Sequence, residues 1–309
     1  MTDVAALFPG QGSQEVGMGQ GLAEVFRSAK DVFRRADDAL GFQLSKIIWT
    51  GPADELKRTE NAQPALLVHS YAVWSVLEDD LAGRVRFAAG HSLGEFSAYA
   101  AAGTLEFEDA VRLVRRRGEL MAASPPGSMA AVIGLDRKTI DRICETVRHQ
   151  DGVVVPANYN SPMQVVVSGE LAAVERAAAL AKEAGAGMVK LLEVSGAFHS
   201  PLMEDAEAGL RAELDRVTLR DPEFPVVSNV TAKPVTDARM AHSLLISQLT
   251  SPVRWSEGVK VIAREGVREF VELGPGKVLT GLLRRIDPAL NCAAIGRPAD
   301  IERLRETET

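Results

Sequence analysis

The sequence predicts an α/β protein in which a smaller domain interrupts a larger one. The first indication is the stretch from Arg84 to Ala102, where a short apolar strand passes through a glycine-rich turn into a helix-compatible run. The second is the order strand, helix, strand, strand, helix, strand between residues 127 and 195. That order is typical of a ferredoxin-like domain, which would close on itself and return the chain to the larger unit.

The remaining elements follow from apolar periodicity and turn residues. In the larger unit we expect the strands Ala5–Phe8, Val226–Val230 and Glu269–Leu273, and helices at 21–40, 63–78, Phe107–Ala122, Leu202–Leu214 and Lys277–Ile286. In the smaller unit we expect the strands Met129–Gly134, Val153–Ala157, Val165–Val167 and Val189–Val194, with helices at Arg137–Val147 and Leu171–Ala184.

The turn Gly90-His91-Ser92-Leu93-Gly94 matches the G-x-S-x-G nucleophile elbow. A turn this sharp crowds the residues two before and two after the serine, which explains both glycines. Ser92 would stand at its tip, and the Leu93 amide would face a developing oxyanion. The same residues also fit a plain strand-to-helix turn in which Ser92 caps the helix.

The loop Pro9–Gln14 follows the first strand and is rich in glycine. Its spacing lacks the third glycine of a dinucleotide fingerprint. The later Gly274–Lys277 segment fails as a phosphate-binding loop, because Val278 stands where Ser or Thr is needed. In one interpretation the backbone amide of Gln11 is a second hydrogen-bond donor to the oxyanion. In the other, the loop is a simple tight turn.

Arg117 interrupts the apolar face of the helix predicted at Phe107–Ala122. At 100° per residue it falls among Leu113, Val114 and Met121, opposite the charged side. A guanidinium directed inward keeps its charge and needs an anionic partner. The partner would be a substrate carboxylate; an internal ion pair or a head group reaching solvent are the alternatives.

Elimination among five histidines selects His199 as a general base. His69 lies in an apolar helical pattern, and His91 would point away from its neighbour Ser92. His149 belongs to a charged helix end, and His242 begins a helix without glycine or proline constraints. His199 lies on a small-residue loop where the two units meet.

Composition narrows the functional class. The 309 residues are 46% hydrophobic and carry a net charge of −7, which is ordinary for a soluble globular protein and disfavours non-specific nucleic-acid binding. No signal peptide and no membrane-spanning run are expected. The two distant cysteines have no metal-binding or redox spacing and indicate a reducing, cytoplasmic setting.

Taken together, these motifs resemble the malonyl-CoA:acyl-carrier-protein transacylases in order and spacing over nearly the whole chain. The matching segments are GQGSQ at 10–14, GHSLGE at 90–95, the Arg117 helix, NYNSP at 158–162, GAFHSP at 196–201, SNVTA at 228–232, QLTSPVRW at 248–255 and ELGPGK at 272–277. The resemblance implies an α/β-hydrolase-like large domain with a parallel sheet, over 1–126 and 196–309. It implies a ferredoxin-like domain inserted at 127–195.

The resemblance assigns roles residue by residue. Ser92 is expected to accept the acyl group and His199 to act as its base. The amides of Gln11 and Leu93 correspond to the oxyanion positions. Gln248 corresponds to a residue near the histidine, where the family orients the imidazole through backbone or amide groups.

Substrate contacts are expected from three further positions. Arg117 corresponds to the arginine that holds the malonyl carboxylate, and Asn160 lies in the polar NYNSP loop. Phe198 resembles the malonyl-selecting pattern, since relatives that accept a methyl branch usually carry a smaller residue there. Met163 departs from the glycine that many relatives carry after NSP, a difference that concerns the conformation of that loop and not the chemistry.

The implied activity is ping-pong transfer of malonyl from malonyl-CoA to the phosphopantetheine thiol of acyl carrier protein, for fatty acid synthesis. Neither a cofactor nor a metal is expected, and neither nucleic acid nor membrane is an expected partner. A discrete acyltransferase of a polyketide synthase, a serine thioesterase or esterase, and a non-catalytic binding subunit remain alternatives. Candidate basic residues for docking the acidic carrier, each also compatible with a solvated face, are Arg115, Arg116, Lys277, Arg284 and Arg285.

Overall fold

The structure, a computed structural model, describes residues 3–150, 152–194 and 196–307. Its strands are β1 (Val4–Phe8), β2 (Val85–Gly90), β3 (Ser128–Ile133), β4 (Val154–Ser161), β5 (Gln164–Gly169), β6 (Met188–Leu191), β7 (Val226–Val227), β8 (Pro234–Val235), β9 (Glu269–Leu273) and β10 (Asn291–Ile295). Its helices are α1 (Gln20–Val25), α2 (Arg27–Leu40), α3 (Leu44–Thr50), α4 (Ala53–Lys57), α5 (Thr59–Leu81), α6 (Gly94–Ala101), α7 (Phe107–Ala123), α8 (Arg137–Arg148), α9 (Leu171–Glu183), α10 (Glu204–Leu214), α11 (Ala238–Ser247), α12 (Trp255–Arg264), α13 (Val278–Ile286) and α14 (Pro298–Thr307).

The larger sheet has six strands within the described residues, in the order β10-β9-β1-β2-β7-β8. Its neighbours run parallel, except that β8 is antiparallel to β7. The central strand β1, with the sequence VAALF, is buried along its whole length, as expected of a parallel strand covered on both faces. The loops that follow β1 and β2 therefore meet at one edge of this sheet.

The smaller sheet has four antiparallel strands in the described part of the chain, in the order β4-β5-β3-β6. With α8 and α9 it forms the predicted ferredoxin-like arrangement, so the α/β fold class with two sheets is confirmed. Pro126 and Gly196 form an antiparallel bridge where the chain enters and leaves this unit. Residue 195, the predicted last residue of the inserted domain, lies outside the described residues, and the domain limits stay a prediction.

Several predicted elements have different limits. The helix predicted at 21–40 is broken at Phe26 into α1 and α2. The strand predicted at Val226–Val230 ends at Val227, because Asn229 turns towards β2 and bonds the Gly90 carbonyl. The helix predicted from Leu202 begins with a 3₁₀ turn at Pro201–Met203, and α10 follows.

The helix predicted at 63–78 is longer, spanning Thr59–Leu81 as α5, and Pro64 lies inside it. Proline lacks an N–H, so the carbonyl of Glu60 loses its helical donor. The Nη1 of Arg115 donates to that carbonyl at 3.1 Å. The arginine thereby replaces the missing hydrogen bond and joins α7 to α5.

Across residues 3–150, 152–194 and 196–307, no helix combines the length and apolar character needed to cross a membrane.

Candidate active site

The chain turns sharply at Ser92, between the end of β2 and the start of α6. Ser92 has a φ of 53°, in the left-handed region that non-glycine residues rarely occupy. A Cβ on Gly90 would lie 1.8 Å from the carbonyl carbon of Gly94. A Cβ on Gly94 would lie 2.1 Å from the carbonyl oxygen of Phe8. Glycine is therefore required on both sides of the serine, as the elbow pattern predicts.

Asn229 fixes this turn from the neighbouring β7 loop. Its Oδ1 accepts a hydrogen bond from the Ser92 amide at 2.7 Å, and its Nδ2 donates to the Gly90 carbonyl at 2.7 Å. The Ser92 hydroxyl does not cap α6, since no side chain forms a capping hydrogen bond at the start of that helix. The interpretation of Ser92 as a helix cap is therefore wrong.

His199 lies directly against the serine hydroxyl. Its Nε2 is 2.7 Å from Ser92 Oγ, and its Nδ1 is 2.9 Å from the carbonyl oxygen of Gln248. Because a carbonyl only accepts, Nδ1 carries the proton and Nε2 presents its lone pair to the serine. Burial and the nearby Arg117 charge lower the pKa of His199 to about 3, so the ring is neutral at neutral pH.

Arg117 points inward from α7, as predicted, and its side chain is 1% exposed. Its Nη1 donates to Gln63 Oε1 at 2.6 Å, and its Nη2 donates to Gln248 Oε1 at 2.9 Å and to Ser92 Oγ at 3.2 Å. No ion pair within the described residues involves this arginine. Both alternatives, an internal ion pair and a head group reaching solvent, are therefore wrong.

The charge of Arg117 persists despite its burial. Desolvation lowers its pKa to about 10, and the charge of Glu95 acts in the opposite direction. A guanidinium with this pKa is protonated at neutral pH. The site thus holds a fixed positive charge whose direct partners are two amide oxygens and the serine hydroxyl.

A cavity of about 540 Å³ opens in front of these groups. It lies between the larger sheet and the smaller one, since Met129 of β3 and Lys190 of β6 also contribute to its wall. Six of the predicted site residues line it: Gln11, Ser92, Leu93, Arg117, Phe198 and His199.

The predicted oxyanion donors both border this cavity. Leu93 stands just before the first residue of α6, where helical amides lack intrahelical partners. Among the hydrogen bonds within the described residues, none uses the amide of Leu93 or that of Gln11. The side chain of Gln11 is held separately, with its Oε1 accepting from the Thr59 hydroxyl at 2.9 Å. Both amides remain available to a ligand oxygen.

Comparison with known proteins supplies the family. The profile of the acyl transferase domain matches residues 6–296. The chain belongs to this acyl transferase family. It is 45% identical over 310 residues to the malonyl CoA-acyl carrier protein transacylase of Bacillus subtilis, covering 99% of this chain and 98% of the relative. It is 44% identical over 302 residues to the protein of the same name from Escherichia coli K12, covering 97% of each.

Solved acyl transferase structures are similar in fold. The acyl-carrier-protein-S-malonyltransferase of Bartonella henselae superposes with a TM-score of 0.95 at 45% identity, covering 99% of each chain. A malonyl-transacylase solved in complex with a type II polyketide synthase acyl-carrier protein gives a TM-score of 0.95 at 43% identity, covering 99% of this chain and 100% of that one.

The predicted residue Asn160 lies beside the acyl transferase cavity and does not line it. Its Oδ1 is 2.8 Å from His91 Nε2, and the His91 ring packs against Trp255 with centroids 5.6 Å apart. His91 itself lines the cavity, as does Asn158. Asn160 therefore contacts His91, which forms part of the wall, and its direct contact with substrate stays a prediction.

Sequence reasoning missed three residues that hold this site together: Gln63, Glu95 and Asn229. Gln63 and Glu95 are fully buried. Their polar side chains in mostly apolar helices are the sequence feature that could have indicated a role in the site. Asn229 follows a short strand in the SNVTA segment, where a polar residue marks the end of a strand. Lys57 and Lys190, at the cavity wall, carry no sequence signal that separates them from other surface lysines.

A larger cavity of about 850 Å³ lies elsewhere, beside the ends of β9 and β10, and none of the predicted site residues lines it. Both acidic side chains in its wall, Glu15 and Asp300, are already engaged within the protein. Asp300 accepts hydrogen bonds from the amides of Gly296 and Arg297, and the Arg297 side chain pairs with Glu15. The smaller cavity, with its serine, histidine and unpaired arginine, is the better candidate site.

Proposed function

We propose that this acyl transferase moves malonyl from malonyl-CoA to the phosphopantetheine thiol of an acyl carrier protein through a malonyl-Ser92 intermediate. One observation carries the proposal. A buried guanidinium without a carboxylate partner, that of Arg117, lies 3.2 Å from a hydroxyl that is itself 2.7 Å from a neutral imidazole. A nucleophile and base next to a fixed positive charge suit an acyl group that ends in a carboxylate.

In the first half-reaction, Nε2 of His199 takes the proton of Ser92 Oγ as that oxygen attacks the thioester carbonyl. The carbonyl oxygen becomes an oxyanion, which the amides of Gln11 and Leu93 stabilise by about 3 kcal/mol each. The carbon–sulfur bond then breaks, and the imidazolium returns its proton to the leaving coenzyme A sulfur. Malonyl remains esterified to Ser92.

In the second half-reaction, the same groups act on a different nucleophile. His199 takes the proton of the phosphopantetheine thiol, and the sulfur attacks the malonyl ester carbonyl. The oxyanion forms again at the same two amides. The ester bond to Ser92 Oγ then breaks as the His199 imidazolium returns its proton to that oxygen, which regenerates the Ser92 hydroxyl. The backbone carbonyl of Gln248 keeps the imidazole oriented through both steps, because it fixes the proton on Nδ1.

Arg117 supplies the specificity for malonyl. A malonyl carboxylate pairs with the guanidinium through charge-assisted hydrogen bonds, whereas an acetyl group leaves this charge uncompensated. An uncompensated buried charge costs roughly 3–5 kcal/mol. The Nε of Arg117 is buried without a hydrogen-bond partner within the described residues, so the protein does not satisfy every donor of this guanidinium.

A serine thioesterase or esterase is the alternative that the site favours less. Such enzymes normally orient the histidine with a carboxylate, whereas here a backbone carbonyl does so. An inward arginine also gives a simple esterase no advantage. Incubation with radiolabelled malonyl-CoA, with and without holo-acyl carrier protein, separates the two: transfer to the carrier supports the proposal, and hydrolysis that the carrier leaves unchanged opposes it.

Intact-mass spectrometry after incubation with malonyl-CoA tests the intermediate. We expect a malonyl adduct on the wild-type chain and none on Ser92→Ala. Ser97→Ala is the matched control, because Ser97 is a buried serine in the same helix α6. An adduct that persists in Ser92→Ala, or none in the wild type, contradicts the proposal. A non-catalytic binding subunit would give the latter result.

For the carrier protein, the surface of α13 is the stronger candidate. Arg115 and Arg116 are already paired with Glu119, whereas no ion pair in the described part of the chain involves Lys277, Arg284 or Arg285. Acyl carrier proteins are acidic, so a basic patch would attract them. Charge reversal at Arg284 and Arg285 should raise the KM for the carrier and leave the KM for malonyl-CoA unchanged; an unchanged carrier KM excludes this surface.

The proposed setting is the cytoplasm, in fatty acid synthesis, without a cofactor beyond the two substrates. Transfer to a polyketide carrier has the same chemistry and is the second candidate. The similar malonyl-transacylase that was solved in complex with a type II polyketide synthase acyl-carrier protein supports this second candidate. Transfer assays with one carrier protein from each pathway distinguish the two.

A further inference from the structure

Glu95 is a fully buried carboxyl group that the proposed reaction does not use. It lies in the first turn of α6, directly behind Ser92, and none of its side chain is exposed. Its Oε2 accepts hydrogen bonds from Gln248 Nε2 at 2.6 Å and from the Asn229 amide at 3.3 Å. Its Oε1 is buried without a hydrogen-bond partner within the described residues. A buried carboxyl group that is only half satisfied is costly as an anion.

Gln248 connects this carboxyl group to Arg117. Its Nε2 donates to Glu95 and to the Ser92 carbonyl, both of which are acceptors. The amide orientation is thereby fixed, so its Oε1 faces Arg117 and accepts from Nη2 at 2.9 Å. Glu95 and Arg117 therefore lie on opposite sides of one amide group.

Glu95 is the acid whose charge acts on Arg117. Coulombic attraction to Glu95 opposes the effect of burial on the pKa of the arginine. The other titratable groups of this network are Tyr99, on which the charge of Glu95 acts from the same helix, and the two imidazoles of the site, His91 and His199, of which His199 is affected by the charge of Arg117. Burial raises the pKa of Tyr99 and lowers the pKa of both histidines, so these three groups are neutral at neutral pH.

We propose that Glu95 is a positioning residue whose charge acts on Arg117 from the far side of Gln248, without contacting it, and that Glu95 becomes protonated when a malonyl carboxylate binds that arginine. The proposal rests on the malonyl specificity argued above. The proton comes from solvent and stays on the Glu95 carboxyl group while the substrate carboxylate is bound. The bound substrate then supplies the negative charge opposite the guanidinium, and it does not meet a second, ionised carboxylate.

The surroundings make this exchange accessible near neutral pH. Burial is the main cause that raises the pKa of Glu95 to about 7, and its hydrogen bonds from Gln248 and Asn229 oppose the shift. A substrate carboxylate on Arg117 brings a second negative charge near Glu95 and offsets the attraction of the guanidinium. This added charge raises the pKa of Glu95 further, so binding takes up a proton.

The test is calorimetric titration at pH 7 in two buffers of different ionisation enthalpy, using the Ser92→Ala protein so that no acyl transfer occurs. Malonyl-CoA is titrated in parallel with acetyl-CoA, which carries the same coenzyme A and lacks the carboxylate. We expect malonyl-CoA to take up roughly half a proton more than acetyl-CoA, because a group with a pKa near 7 is half protonated beforehand. Equal proton uptake by the two ligands overturns the proposal. This measurement leaves Glu95 unchanged, so it does not depend on the folding of a Glu95 variant.

A second variant assigns the proton. In Ser92→Ala/Glu95→Gln the additional uptake should vanish, and malonyl-CoA should bind about twofold more tightly, because only about half of the Glu95 side chains are protonated before binding. The matched control is Ser92→Ala/Glu272→Gln. Glu272 is also fully buried but accepts hydrogen bonds from Leu279 and Thr280 at the start of α13, so uptake should persist there. Uptake that survives in Glu95→Gln overturns the proposal.

The same titrations separate this inference from the proposed function. If malonyl-CoA binds more tightly than acetyl-CoA but takes up no additional proton, the role of Glu95 is wrong and the malonyl specificity stands. If the two ligands bind equally well, the malonyl specificity is wrong, and the inference fails with it.

Discussion

Two neighbouring arginines of α7 meet opposite surroundings. The side chain of Arg116 is 48% exposed and pairs with Glu119 at 3.2 Å and with Glu213 at 3.6 Å. Arg117, one residue later, is buried against the amide oxygens of Gln63 and Gln248. One step of about 100° around the helix separates a solvated ion pair from a buried unpaired charge.

The difference shows which charges belong to the functional site. An exposed ion pair contributes at most about 1 kcal/mol and is readily exchanged for water. A buried guanidinium without a carboxylate is a standing cost to the fold, which a substrate carboxylate offsets. The chain has 42 acidic residues that could pair with an arginine. A carboxylate does pair with Arg116, which points outward, whereas amide oxygens surround Arg117, which points inward. Burial together with partner chemistry, not residue type, marks the site.

Among the variants that compare the two arginines, Arg117→Lys should have the largest effect on activity. Lysine is a single point charge and cannot reach Gln63 and Gln248 simultaneously in the way a planar guanidinium does. We expect kcat/KM for malonyl-CoA to fall about a hundredfold, as misplaced binding groups typically cause. Steady-state transfer assays measure it, with Arg116→Lys as the control, expected to stay within about twofold. Equal losses in the two variants would falsify the distinction between them.

Gln63→Leu should give the next largest effect. It keeps the side-chain volume but leaves Arg117 Nη1 without its acceptor at 2.6 Å. Losing an acceptor to a buried charged donor costs about 1–3 kcal/mol, so we expect the free energy of unfolding to fall by that amount. Urea unfolding measures it. An unchanged free energy of unfolding would show that Gln63 does not support the guanidinium.

The pH profile of acylation should respond to Arg117 as well. The charge of Arg117 is one cause of the lowered pKa of His199, after burial. Since the histidine acts as a base, activity is lost as pH falls through its pKa, and the wild type should keep activity well below pH 6.5. Removing the positive charge stabilises the imidazolium and raises that pKa. In Arg117→Ala the acid limb, measured with acetyl-CoA, should therefore move to higher pH, whereas Arg116→Ala should leave it in place.

Arg116→Ala should have the smallest effect. It removes a side chain whose partners, Glu119 and Glu213, are themselves partly exposed. We expect the free energy of unfolding to change by no more than about 0.5 kcal/mol. Thermal or urea unfolding checks this. A loss comparable to that of Gln63→Leu would mean that the outward pairs contribute more than exposed ion pairs usually do.

Local sequence patterns were sufficient to predict part of this site. The inward direction of Arg117 follows from its position on an amphipathic helix, and the bend at Ser92 follows from Gly90 and Gly94. Both features are set within a few residues, so the sequence displays them. The ferredoxin-like order likewise follows from periodicity alone.

Long-range contacts were not visible in the same way. Asn229 reaches Ser92 across 137 residues, and Gln248 reaches Glu95 across 153. No periodicity links residues so far apart, and a polar residue in an apolar helix signals only that some partner exists. The strand predicted to Val230 failed for the same reason, because the contact between Asn229 and Gly90 ends it early.

The central claim is that Arg117 selects the malonyl group, and the ratio of kcat/KM for malonyl-CoA to that for acetyl-CoA measures this directly. In the wild type the account predicts a ratio strongly in favour of malonyl. In Arg117→Ala it predicts that malonyl transfer falls steeply and that the ratio shifts towards acetyl by about two orders of magnitude, the equivalent of roughly 3 kcal/mol. An unchanged ratio in Arg117→Ala would contradict the account.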